Sequence, residues 1–138
     1  MISEPKRIMV ALVARGDEKP VIEQAVLMAE KFNAQLVAIH VHLPILSQPK
    51  GTAGITVTEE IIRTRFTKYG FEHVVDELEI IIANSDNIPQ KIHDHIGDID
   101  MLIVGHKKMG GFVARIMDSI DEGISNLIPC PVLVVQKS

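Results

Sequence analysis

"VGHKKMGGFVARIMDSIDEGISNLIPCPVLVV", residues Val104 to Val135, leaves one apolar run and closes with another. Between them lie glycines, two lysines and a stretch with Ile120, Ile124 and Leu127 at helical spacing, stopped by Pro129. Strand, glycine-bearing loop, helix and strand in that order make a βαβ unit, whose strands run parallel. A loop of this kind, opening onto the start of a helix, is a ready cradle for phosphate. Yet a lysine and an aspartate stand where further glycines would serve that role. Gly123, inside the helical stretch, costs about 1 kcal/mol relative to alanine.

The same alternation extends through the rest of the chain. "RIMVALV" (Arg7–Val13) is a continuous apolar run of strand length. It is followed by a helix with Ile22, Ala25, Ala29 and Phe32 on one face, Asp17 available as a cap and Pro20 in the first turn. "QLVAIHVHL" (Gln35–Leu43) reads as a second buried strand, and "PILSQPKGTAGITV" as a surface loop. Thr56 and Glu59 have capping-box spacing ahead of Ile62, Phe66 and Tyr69, which predicts a helix running to Gly70. In "DELEIIIA", Leu78, Ile80 and Ile82 alternate with Glu77 and Glu79, and two outward glutamates suit an edge strand. Asn87 and Pro89 open a short helix carrying Ile88, Ile92 and Ile96, and "DMLIVG" (Asp100–Gly105) is the strand that leads into the opening stretch.

Five strands and four helices in strict alternation predict an α/β fold, a doubly wound five-stranded parallel sheet with helices on both faces. Ligands in such sheets sit beyond the carboxyl ends of the strands, at the switch point. The 138 residues are read as one domain. A net charge of −4 argues against nucleic acid or an anionic membrane as the main partner. No apolar run reaches the roughly 18 residues needed to cross a bilayer. The opening "MISEPKR" has no apolar core, so no secretory leader is expected. The one cysteine, Cys130, fits a reducing cytoplasm. Flanked by prolines at a buried strand, it reads as a packed apolar residue rather than a nucleophile.

The last third resembles the universal stress protein family. That family's pattern is a strand ending in Gly, a loop G-x2-G-x9-G-[ST], a helix and a Pro-Cys-Pro-Val-type strand. Gly105, Gly110, Gly111, Ser119, Pro129, Cys130, Pro131 and the "VLVV" run follow it without a gap. "IMVALV", "EQAVLMAEKFNAQL" and "IHV" (Ile39–Val41) extend the likeness over most of the chain, except the loop from Leu43 to Val57. The resemblance implies an adenine nucleotide alpha hydrolase-like fold and a homodimer through the C-terminal strand. It also implies nucleotide contacts at Val41, Gly105, Gly110, Gly111 and Ser119. Pairing has physical support too: "PVLVVQ" carries no charge until Lys137 and would be an aggregation hazard at an open sheet edge.

Three positions depart from the nucleotide-binding pattern. Counted from Gly105, the second motif glycine falls on Lys108 and the third on Asp118, and the aspartate that usually ends the first strand is Val13. Val13 has no side-chain acceptor. Lys108 adds a side chain where backbone amides should approach phosphate. A carboxylate at Asp118, about 5 Å from a phosphate charge, costs roughly 3 kcal/mol at an effective dielectric near 20. That exceeds a hundredfold in affinity. Asp118 is expected to cap its own helix and pair with Lys108. A plain connecting loop, and phosphate binding retained through the lysines, are the alternatives.

His40 and His42 share a strand face, and His106 follows the fourth strand at the same rim. Three imidazoles can bind zinc, but no acidic or cysteine ligand accompanies them, and no metal is expected. His93 and His95 point to different sides of a helix, and His73 lies in a turn. No nucleophile with an adjacent base is readable. The expectation is therefore a stress-response regulatory protein acting as a homodimer, not an enzyme, with no cofactor and with ATP or AMP disfavoured. A nucleotide sensor with a modified glycine loop is the alternative, and a phosphate-ester hydrolase comes last.

Overall fold

The computed structural model describes residues 4–43, 56–106, 123, 124 and 126–137. Five strands, β1 (Arg7–Ala11), β2 (Gln35–His42), β3 (Glu79–Asn84), β4 (Met101–His106) and β5 (Val132–Gln136), form one sheet in the order β3-β2-β1-β4-β5. All four pairings are parallel. The helices are α1 (Lys19–Phe32), α2 (Glu59–Lys68), α3 (Glu72–Val75) and α4 (Ile88–Asp94). Gly123, Ile124, Asn126 and Leu127 are also helical, and Ile128 N–H closes that turn on Ile124 O. This is the expected doubly wound architecture, with the strand order reversing between β1 and β4.

Strand periodicity divides the core into two layers. Ile8, Val10 and Leu12 of the first strand region join Leu36, Ala38 and Ile103 in one cluster, with Val21, Ile22 and Ala25 of α1 and Ile62 and Phe66 of α2. Met9, Val37, Ile39, Val41, Leu102 and Val104 face the other way, against Ile92 of α4 and Ile124. Residues i and i+2 share a face of a strand, so near-continuous apolar strands here feed both layers. β3 is an edge, as expected, though it begins at Glu79 and leaves Glu77 before the strand. Its Glu79 accepts a hydrogen bond from Arg7 Nη2 at 3.1 Å, and Arg7 Nε stands 3.1 Å from Asp98.

The helix ends have local causes. Asp17 Oδ1 accepts the Lys19 N–H at 3.0 Å from just outside α1, while the N-cap position itself is Glu18. α2 corrects the sequence reading: its cap is Thr58, not Thr56. Thr58 is extended and its hydroxyl accepts the Ile61 N–H. Val57, just before the cap, and Ile62 are buried in the same cluster, the apolar staple that fixes how a chain enters a helix. At the other end Gly70 takes φ +94°, and the amides of Gly70 and Phe71 bond to Thr67 O and Phe66 O. Those two bonds make a Schellman stop. The expected turn around His73 is the short helix α3. Gly123 has a packing reason for its propensity cost: a Cβ there would lie 2.6 Å from Cγ of Pro89 in α4.

β1 is shorter than the apolar run predicts, and both its ends are held by carboxylates. At the amino end Asp100 Oδ2 accepts the amides of Lys6 and Arg7 at 2.8 and 3.0 Å. These bonds hold the Asp100 carboxyl below its ordinary pKa. At the carboxyl end the strand runs into the site described next.

Candidate functional site

The carboxyl ends of β1 and β4 lie side by side where the strand order reverses, the usual ligand position in such sheets. After β1 the Leu12 N–H still bonds to Ile39 O, and Ala14 and Gly16 beyond it adopt positive φ, 63° and 67°. The Glu18 carboxylate folds back onto this turn. Its Oε2 accepts the Val13 N–H and its Oε1 the Ala14 N–H, both at 2.9 Å. Glu18 is only 2% exposed. Arg65 Nη1, from α2, stands 3.3 Å from Glu18 Oε1 and donates to Gly16 O at 3.1 Å. The Glu18 amide donates to the Tyr69 hydroxyl at 3.1 Å.

Burial pushes the Glu18 pKa above its ordinary value; the two amides, Arg65 and Lys137 oppose that rise without cancelling it. Beside this group, His40 Nδ1 lies 2.9 Å from Leu12 O. A carbonyl only accepts, so Nδ1 carries the proton. Burial lowers the His40 pKa, and the nearby charges of His42 and Arg65 lower it further. Its Nε2 is buried with no hydrogen-bond partner among the described residues.

Of the sequence-derived site residues, the structure brings Val13, Val41 and Gly105 to the carboxyl end of the sheet. Val13 has its amide taken by Glu18. Val41 packs into the α4 layer. A Cβ on Gly105 would meet Val21 Cγ2 at 2.6 Å and Lys137 Cδ at 3.0 Å, so glycine here lets α1 and the chain end close over β4. Lys108, Gly110, Gly111, Asp118 and Ser119 lie outside the described residues. His40 and His42 share the α1–α2 side, with ring centroids 6.3 Å apart. Strand alternation puts His106 on the opposite face, with Leu102 and Val104. The three rings therefore do not converge, and among the described residues no group of three or more His, Cys, Asp or Glu is placed to hold a metal. Cys130 packs against the α4 layer, and burial raises its thiol pKa, which disfavours the reactive thiolate.

Glu18 and Arg65 were not anticipated as site residues. The signal was present. Glu18 extends the inward stripe of Ile22, Ala25 and Ala29 by one turn, and Arg65 lies on the stripe of Ile62, Phe66 and Tyr69.

The sequence matches the universal stress protein family over residues 4–136. The chain belongs to the universal stress protein family. A search of the curated proteins finds no match. Among solved structures it is similar to a universal stress protein in complex with cAMP, with TM-score 0.68, 17% identity, and 99% of this chain and 100% of that one covered. It is also similar to the universal stress protein UspA from Lactobacillus plantarum, with TM-score 0.62, 16% identity and coverage of 97% and 99%. A universal stress protein family member from Arabidopsis thaliana with AMP bound gives TM-score 0.56, 17% identity and coverage of 97% and 93%. At these identities the likeness of a universal stress protein to its solved relatives is one of fold. No helix among the described residues is long and apolar enough to cross a membrane.

Proposed function

We propose that this universal stress protein is a cytoplasmic stress-response regulator that works without tight ATP binding. The observation that carries this reading is the Glu18 carboxylate seated on the Val13 and Ala14 amides at the end of the central strand. A nucleotide entering this rim meets donors already bonded, a buried anion, and at Val13 a side chain that accepts nothing. The sequence adds a second acid, Asp118, at a position where the family pattern has a glycine. Calorimetric titration of the purified protein with ATP, AMP and cAMP tests this. Millimolar binding or none is expected, and micromolar ATP binding overturns it.

The regulator is read as a homodimer joined through β5. That strand is the second edge of the sheet, carries no charged residue, and leaves Val134 51% exposed. An apolar open edge is a template for pairing. Val134→Lys is expected to move the protein from dimer to monomer in sedimentation experiments. A parent that sediments as a monomer removes this part of the reading.

A nucleotide sensor is the second reading. Arg65 is the observation that favours it, with the Lys137 charge acting on the same rim, and solved relatives are described with cAMP or AMP. Nucleotide carried through purification, seen by absorbance and mass spectrometry, would favour it. A phosphate-ester hydrolase ranks last, because the sequence supplies no readable nucleophile with an adjacent base.

A further inference from the structure

We infer that the amides of Val13 and Ala14, together with the Arg65 guanidinium, form a carboxylate-binding site that the chain fills with its own Glu18. In Glu18→Ala protein the vacated site takes up free acetate. This holds whether or not the rim admits a nucleotide.

The geometry is that of a receptor for two oxygens. Each oxygen of the carboxylate has its own amide donor at 2.9 Å, and one of them also has Arg65 at 3.3 Å. Charge-assisted bonds of this kind are about twice as strong as neutral ones. The two donors are neighbouring amides in a turn of positive φ at Ala14 and Gly16, a backbone shape that points successive N–H groups at one anion. They belong to the turn that follows β1, not to the first turn of α1. The site is screened from water, since its occupant is 2% exposed. Tyr69 holds the Glu18 backbone from the other side, so truncating the side chain leaves its main chain anchored.

The occupant's shape names the ligand class. Glu18→Ala deletes a CH2–COO⁻ unit, which is the size of acetate. Formate fills the space less completely, and propionate overfills it. In the parent the tethered side chain competes at an effective concentration of millimolar or more, so free carboxylate is shut out. Glu18 thus holds the N-cap position of α1 while its side chain, which makes no capping bond, serves as the internal ligand.

Thermal melting of the full chain near neutral pH, in sodium acetate against sodium chloride at equal ionic strength, tests the inference. Glu18→Ala is expected to melt several degrees below the parent in chloride. Acetate should raise its Tm saturably and leave the parent unchanged. Propionate should do less, and adding Arg65→Met should weaken the response at least tenfold in acetate concentration. Equal effects of acetate on parent and variant, or none on the variant, overturn the inference. Should the alanine protein not fold in chloride, it and Glu18→Ser are refolded with and without acetate. Folding only with acetate supports the site, and failure of both variants in acetate also overturns it, because acetate then does not complete the receptor.

Discussion

Arg65 Nη1 lies 3.3 Å from Glu18 Oε1, and this pair ties α2 to the turn that leaves β1. The carboxylate is buried and the guanidinium largely so, which changes what the pair means energetically. A buried ion pair adds little net stability over apolar packing, yet removing one partner leaves a stranded charge.

Arg65→Met should therefore destabilise the protein by about 2–4 kcal/mol, toward the lower end because two amides still hold Glu18. Urea unfolding measures it. The double variant Arg65→Met with Glu18→Gln should lose less than the two single losses combined, since the stranded charge is gone. An additive cycle would show that the two groups do not interact.

Two glycines should resist alanine for steric reasons. Gly105→Ala places a methyl 2.6 Å from Val21 Cγ2, and overpacking of this kind costs about 1–3 kcal/mol. Val21→Ala should recover part of that loss. Gly123→Ala ought to gain about 1 kcal/mol in an exposed helix. Here the rigid Pro89 ring stands in the way, so a net loss in Tm is expected.

The titration of His40 should lower stability as pH drops below about 6.5, the ordinary histidine value. The pKa of His40 is lowered by burial in the native state, so the unfolded chain takes up its proton first and folding is penalised. Glu18 works in the opposite sense. Its raised carboxyl pKa means the native state protonates first, which favours folding as pH falls toward the ordinary glutamate range. His40→Asn keeps a donor for Leu12 O and removes the titration. Its stability relative to the parent should increase from pH 7 to pH 5 in chemical denaturation, and an unchanged difference would assign the dependence elsewhere.

Restoring the family pattern should reopen nucleotide binding. Asp118→Gly with Lys108→Gly and Val13→Asp is expected to bind ATP more tightly than the parent by calorimetry. The structure adds a condition: Val13→Asp brings a second carboxylate close to Glu18, so Glu18→Ser should increase the gain. No improvement in either variant would show that these charges are not what closes the rim.

The fold was legible because alternation of apolar runs and helical stripes is a whole-chain property that tolerates local error. Thr56 shows such an error. Its spacing to Glu59 imitates a capping box, but Val57 is drawn into the core, and the cap falls two residues later at Thr58. The site was less legible. Val13 and Gly105 were singled out because a family pattern marks them, and both lie at the carboxyl end of the sheet. Glu18 was missed because an acidic residue before a helix reads as solvated, and only the folded chain shows that its stripe and Arg65's stripe meet. Asp17, the expected cap, does bond to Lys19, so the neighbouring acid had no obvious task left.

Asp100 and Glu18 grip opposite ends of the same short central strand, each through two successive amides. Its four apolar residues, Ile8 to Ala11, have little among them to tell one alignment from another two positions along. Sliding by two would keep every side chain on its proper side, and only the tips would object. Four anchoring bonds would then break at once. A pair of acids placed outside the strand, together with the Arg7 ion pairs at its tip, thus holds the sheet's alignment.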